Sequence, residues 1–363
     1  MCVPQISGHD APTKKSRTIT AVKNALTALL LLCLATPALA EESPVGFRTA
    51  TLHDAQNNNP LELVVWYPAT TAAKPELIAD TVVFIGALGV PDAPPAAGAH
   101  PLVVLSHGYG GNWGKQVWLA GALAHKGYIV AAVNHPGTTT KDRNPQAAAQ
   151  LWKRPADLSR AIDAVLAQPK QFGAVENNRI AVIGHSLGGW TALEIAGARF
   201  DPDLFSRDCN AHPKLAACIA YHEMNPAGTP ALKSHLAADL SDKRVTAIVS
   251  LDLGLSRGFT DASLAKLPVP VLVIAGGVPS EDMPAELESA DLAKRLSKAS
   301  TTYVDISDAN HFSFMPICKP GAIALIEEGS PGDGMICRDG EGARPREVIQ
   351  QQVIGLITEF LAK

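Results

Sequence analysis

The chain has 363 residues, of which 47% are apolar, 18% charged and 5% aromatic, and its formal net charge is −4. That is ample apolar material for a large core and too little charge for a chain disordered throughout. The acidic balance and scarce aromatics argue against a broad basic nucleic-acid surface or a base-stacking platform, and the dispersed apolar residues argue against a multi-span membrane protein.

Residues 1–23 are polar and basic, with Lys14, Lys15, Arg17 and Lys23. Residues 25–35 are apolar except for Thr27, and Ala38-Leu39-Ala40 precedes Glu41-Glu42. A basic leader, a short apolar run and an A-x-A site describe an export signal covering residues 1–40. The run is well short of the ~20 residues that span a bilayer. Cys33 follows the bulky Leu32 and lies before the A-x-A site, which argues against lipid attachment there. Removing residues 1–40 moves the net charge from −4 to −7 and leaves Cys209, Cys218, Cys318 and Cys337. An even count in an exported chain predicts two disulfides. Of the three possible pairings, the sequence-local one is expected, 209 with 218 and 318 with 337.

The remaining chain, 41–363, reads as one catalytic domain. Residues 46–52 and 61–67 form a predicted strand pair, with a polar turn at 54–60. Residues 69–100, rich in Ala and Pro, read as irregular connection. Residues 101–106 are a continuous apolar strand of the kind that is covered on both faces. A helix at 115–127, a strand at 128–133, a helix at 155–167 with Pro155 near its start, a strand at 179–183 and a helix at 188–198 follow. Residues 199–243 interrupt the alternation and read as a small lid-like insertion. Strands at 245–251, 269–275 and 302–306, and a helix at 346–361, complete the chain. This order predicts an α/β fold with a mostly parallel sheet flanked by helices.

The strongest chemical signal is Gly184-His185-Ser186-Leu187-Gly188-Gly189, set between a buried strand and a helix. G-x-S-x-G in that setting is a nucleophile elbow, whose tight turn needs small residues at 184 and 188. It would present the Ser186 hydroxyl above the sheet edge and aim the Leu187 N–H at a developing oxyanion. A serine needs a base, and in this chain order an acid and then a histidine follow the nucleophile. His311 lies just after the last strand, in Asn310-His311-Phe312-Ser313-Phe314, whereas His212, His222 and His235 fall in the insertion. For the acid, Asp252 ends an apolar strand, and Glu281 or Asp282 follows the next one; Asp308 is too close in sequence to present itself to the far imidazole nitrogen. Position favours Asp252. The second oxyanion donor is expected from Ser106-His107-Gly108-Tyr109-Gly110-Gly111-Asn112, at the Tyr109 N–H, with His107 bracing the loop. This loop fits neither a P-loop nor a dinucleotide fingerprint. His222-Glu223 lacks the second histidine of a zinc helix, and no Cys/His cluster has metal spacing, so no cofactor is called for. His135-Pro136-Gly137-Thr138 reads as a turn.

These stretches resemble the α/β-hydrolase superfamily. More narrowly, Pro101–Asn112, Gly127–Pro136, Arg179–Gly189, Ala247–Asp252 and Asn310–Phe314 resemble the plasma and type-II platelet-activating-factor acetylhydrolases and their bacterial dienelactone-hydrolase-like relatives. The resemblance implies Ser186 as nucleophile, Asp252 as acid, His311 as base, and Tyr109 and Leu187 as oxyanion donors. It departs from many bacterial members at Gly277-Val278-Pro279, where an acid would be expected two residues after the glycines, and from dienelactone hydrolases proper in having serine as nucleophile. The combined expectation is an exported serine carboxylic-ester hydrolase, periplasmic or secreted, acting on short acyl esters, with acetylated phospholipids as one candidate. Acyl transfer or peptide cleavage on the same triad, and a silent hydrolase fold used for binding, are the competing classes.

Overall fold

Ten strands form one sheet in the order β10-β9-β8-β7-β5-β6-β2-β1-β4-β3. They are β1 Val45–Leu52, β2 Leu61–Pro68, β3 Glu76–Ile78, β4 Ala87–Pro91, β5 Ala99–Ser106, β6 Ile129–Val133, β7 Ala174–His185, β8 Ala247–Leu251, β9 Val271–Gly276 and β10 Thr301–Ile306. The computed structural model describes residues 44–53 and 60–363, which fall in one compact unit. The expected export signal, residues 1–40, lies outside the described residues. From β6 to β10 every neighbouring pair is parallel, while β2 pairs antiparallel with both β1 and β6. The architecture is thus an α/β-hydrolase fold with a mostly parallel sheet.

The apolar runs explain why the sheet lies in the middle. Along a strand, successive side chains point to opposite faces. Leu102 and Val104 of β5, with Val182 of β7, join the core on one face, and Val103, Leu105 and Ile183 join the core on the other. On the first face pack the helices Lys153–Ala167, through Leu158, Ala161, Ile162 and Val165, and Leu187–Ala196, through Trp190 and Leu193. On the second face pack Val117–His125, through Leu119, Ala120 and Leu123, and Arg346–Leu361, through Ile349, Val353 and Ile357.

One region differs from the sequence reading, and a second gains detail. Residues 69–100 are not simply irregular: β4 pairs parallel with β1, and β3 pairs antiparallel with β4. β3 has only three residues and β4 contains Gly89 and Pro91, so neither shows a run long enough to read as period two. The insertion at 199–243 is helical, with Pro202–Ala211, Ala216–Met224 and Pro230–Leu236. Each begins at a capping or extended residue, and Asp201 and Thr229 accept hydrogen bonds from the first-turn N–H groups. Among the described residues no helix is long and apolar enough to cross a membrane.

Ile183 is fully buried at the centre of the sheet. Ile183→Ala should cost about 2–5 kcal/mol. By contrast, the exposed Gly355 sits mid-helix with nothing within 4 Å of an added Cβ. Gly355→Ala should gain about 0.5–1 kcal/mol. Urea unfolding midpoints of the two variants, measured at unchanged m, check both signs.

Candidate active site

The parallel strands all deliver their carboxyl ends to one edge, and the site is built there. β7 runs into Ser186, whose backbone sits at φ 56° and ψ −123°. This is a region that residues with a Cβ seldom occupy. The turn closes through Gly189 N–H to the Ser186 carbonyl at 2.8 Å, and Ser186 N–H donates to the Leu251 carbonyl of β8 at 3.0 Å. Both flanking glycines are needed for space: a Cβ on Gly184 would lie 1.9 Å from the Gly188 oxygen, and one on Gly188 would lie 1.9 Å from the Ser106 oxygen. The expectation that 184 and 188 must be small thus has a concrete cause, the crossing of three backbone segments.

Asp252 directly follows β8, again at positive φ, 44°. Its N–H donates to the Ile274 carbonyl at 2.8 Å, and one carboxylate oxygen accepts from Gly276 N–H at 3.0 Å. The other oxygen lies 2.7 Å from His311 Nδ1. The carboxylate is therefore held from the backbone on one side and spends its remaining oxygen on the imidazole. The alternatives are occupied otherwise. Asp282 is exposed and accepts the Ser280 hydroxyl at 2.5 Å, Glu281 is exposed, and Asp308 pairs with Arg344 at 2.7 Å.

His311 opens a short 3-10 turn, His311–Phe314, capped by Asn310. The Asn310 side chain accepts from Phe312 N–H and Ser313 N–H, and the Ser313 hydroxyl accepts from Asn310 N–H at 3.0 Å. His185, next to Ser186, adds a tie that sequence reasoning missed. Its Nε2 lies 2.9 Å from the His311 carbonyl. Burial holds the His185 imidazole well below its usual pKa, so it is neutral and donates from Nε2. The same residue that precedes Ser186 on β7 therefore anchors the loop carrying His311.

The two expected oxyanion donors have N–H groups that find no hydrogen-bond acceptor among the described residues. Leu187 is the first residue of its helix, where an N–H has no intrahelical partner and the helix dipole is positive. Tyr109 is the second residue of a turn closed by Gly111 N–H to the Gly108 carbonyl at 3.0 Å. Gly110 adopts φ 72°, which the third position of such a turn requires of a glycine. The Arg143 guanidinium lies over the Tyr109 ring at 4.7 Å.

Tyr109, Ser186, Leu187, Asp252 and His311 all line one cavity of about 430 Å³. One wall is the insertion helix Ala216–Met224, through Ala216, Ala217, Ala220 and Met224; another is formed by Met335 and Arg338. Each wall is next to a disulfide. Cys209 and Cys218 join the helices Pro202–Ala211 and Ala216–Met224, and Cys318 and Cys337 fasten the segment that carries Met335 and Arg338. Asp208 beside the first disulfide is paired with Arg257 at 2.7 Å.

His135 opens the expected turn, with Thr138 N–H donating to its carbonyl at 3.3 Å, and it is also fully buried, outside the cavity that holds Ser186, with its ring in contact with Ser106 and Asp157. Arg154, Asp157 and Gly276 carried no sequence signal, because their contacts are made by residues tens of positions away.

A family model for the alpha/beta hydrolase family matches residues 103–317. The chain belongs to that family. Among curated relatives, the cutinase est1 of Thermobifida alba is 33% identical over 104 residues, covering 28% of this chain and 31% of the cutinase. A bis(hydroxyethyl) terephthalate hydrolase of Streptomyces coelicolor is 29% identical over 102 residues, 28% of this chain and 30% of that protein. The matched stretch thus spans under a third of either relative. A solved ferulic acid esterase from Streptomyces cinnamoneus shares the fold, with a TM-score of 0.60 at 21% identity, covering 90% of this chain and 91% of that one.

The elbow's dependence on bare backbone is testable. Gly188→Ala, whose Cβ meets the Ser106 carbonyl, should destabilise by about 1–3 kcal/mol or more, because neither backbone segment can yield cheaply. Denaturant unfolding read alongside the yield of soluble protein checks this, and a wild-type midpoint would contradict the packing account.

Proposed function

We propose that this chain is an exported serine hydrolase of carboxylic esters, with Ser186 as nucleophile, His311 as general base, Asp252 as its orienting acid, and the Leu187 and Tyr109 N–H groups as oxyanion donors. The observation that carries the reading is the 2.7 Å contact of His311 Nδ1 with a carboxylate already held by Gly276, in the same cavity as a serine on a strained elbow. With Nδ1–H committed to Asp252, the lone pair of His311 is on Nε2, as a general base requires. Ser186 Oγ adds to the ester carbonyl while His311 takes its proton. The oxyanion is held by two backbone N–H groups; His311 protonates the leaving alcohol, and water cleaves the acyl-enzyme by the same route.

The cavity supports a reading of the substrate class. Its volume suits a small ligand, and its walls of Ala, Met and Val side chains suit an apolar acyl or aryl group. The names of the matched relatives, cutinases and a bis(hydroxyethyl) terephthalate hydrolase, agree with a carboxylic-ester substrate. The five stretches that resemble platelet-activating-factor acetylhydrolases make acetyl esters of phospholipids one candidate within that class. The two disulfides support export, which would follow cleavage near Ala40.

Ser186→Ala should abolish nitrophenyl-ester hydrolysis with an unchanged unfolding midpoint. Asp252→Asn should lower kcat by about 10³–10⁴-fold, and Asp282→Asn should leave it within about twofold. The reverse order for the two acids would move the triad to the later loop. Ala220→Phe, which fills the insertion-side wall, should lower kcat/KM for hexanoyl esters far more than for acetyl esters; equal losses would place the acyl group elsewhere.

A further inference from the structure

Behind the oxyanion loop lies a second Ser-His-Asp chain, closed to solvent. The Ser106 hydroxyl is 3.0 Å from His135 Nε2, and His135 Nδ1 is 3.0 Å from the Asp157 carboxylate. Ser106 and His135 are fully buried, and Asp157 is 6% exposed. No substrate can reach this serine, so the arrangement has to be read by what it holds.

It holds the loop that carries Tyr109. Arg154, 2% exposed, uses every arm of its guanidinium. Nη2 donates to the His107 carbonyl and to Ser106 Oγ, Nη1 to Thr138 Oγ1 at 2.6 Å, and Nε to Thr191 Oγ1 at 2.9 Å. Thr138 in turn accepts Gly110 N–H at its carbonyl at 2.9 Å. Thr191 lies on the helix that Leu187 begins, and its hydroxyl donates to the Leu187 carbonyl at 3.0 Å. One side chain therefore spans both elements that supply the oxyanion donors.

The protons have a single consistent direction. His135 N–H, which can only donate, lies 3.0 Å from His107 Nε2. The proton of the neutral His107 ring is thereby forced onto Nδ1, which donates to the Gly108 carbonyl at 2.7 Å. That carbonyl also accepts Gly111 N–H at 3.0 Å. In a trans peptide the C=O and N–H point in opposite directions, so a Gly108 carbonyl held by two donors turns the Tyr109 N–H away from them. Gly108 itself lies against the nucleophile, since a Cβ there would be 3.0 Å from Ser186 Cβ.

We infer that Arg154, with its counter-group Asp157 relayed through His135 and Ser106, is a positioning assembly that fixes the Gly108–Tyr109 peptide and the Leu187 helix start in the orientation an oxyanion requires. The inference rests on the serine-esterase reading above. Burying these charges is costly: desolvation pushes Asp157 up to about 7 and Arg154 down to about 9. Apolar side chains of similar size commonly serve stability as well as a buried ion network does, so stability alone does not account for one here. A planar fork meeting four oxygens in fixed directions does account for it.

The test compares ground-state and transition-state binding in the full chain. Arg154→Met and Arg154→Lys should lower kcat on a nitrophenyl ester by about 10–100-fold, with KM within about threefold. Affinity for an alkyl trifluoromethyl ketone, whose hemiketal carries the oxyanion, should fall by the same factor. Thr191→Val, a near-isosteric change that removes the Nε acceptor, should show a smaller loss of the same pattern and guards against an Arg154 variant that fails to fold. Wild-type kcat and ketone affinity in the folded variants, or losses that merely track the folded fraction, would overturn the inference. Ser186→Ala separates the two levels: activity abolished there but intact in the Arg154 and Thr191 variants rejects only the positioning role, whereas activity retained in Ser186→Ala rejects the esterase reading itself.

Discussion

Three backbone segments cross at the carboxyl edge of the sheet with no side chain between them. The Gly184 and Gly188 Cα atoms face the Gly188 and Ser106 carbonyls so closely that a methyl group on either would fall 1.9 Å from an oxygen. This approach is what allows β7 to turn into a helix within one residue, at the cost of a positive φ at Ser186. It is possible only because β5, β7 and β8 are parallel neighbours in register, with Ser106 opposite Gly184 and Gly184 opposite Ser250. The strain at Ser186 is borne by the two buried cores that clamp these strands from both faces.

The groups around the serine follow the same pattern: each is held from behind by something buried and neutral or paired. Gly276 N–H holds Asp252, neutral His185 holds the His311 carbonyl, and Arg257, paired with Asp208 and Glu288, packs beneath the insertion. The insertion helices and the 318–337 segment supply the cavity walls, and a disulfide lies beside each. Close-packed backbone at the sheet edge and separately fastened cavity walls thus form two distinct parts of the site.

Local features were legible in the sequence. The elbow is six consecutive residues between a strand and a helix, and the capped turn at Asn310–Phe314 is likewise contiguous. The parallel sheet followed from apolar runs with helices between them. The choice of Asp252 over Asp282 could be argued from its place at a strand end, and the structure puts its carboxylate, not that of Asp282, against His311. What did not show was anything assembled across the sheet. Arg154 carries no local signal, and the four oxygens its side chain meets belong to residues 16 to 48 positions away. The turn that His135 opens was legible from its Pro-Gly pair, but the burial of its ring was not, because that depends on Asp157 in a helix beyond. β3 and β4 were hidden by Ala, Pro and Gly, whose strand propensity is low and whose pairing is set by β1.

The proposed ester chemistry requires Ser186 to be an activated nucleophile rather than a serine in a tight turn. Its most direct test is to treat the purified full chain with an alkyl fluorophosphonate and map the adduct by peptide mass spectrometry. A single stoichiometric phosphonyl adduct on Ser186, formed in step with complete loss of esterase activity and absent after Asp252→Asn on the same time scale, is the predicted result. No adduct on the folded protein, or an adduct on another residue with Ser186 unmodified, would contradict it.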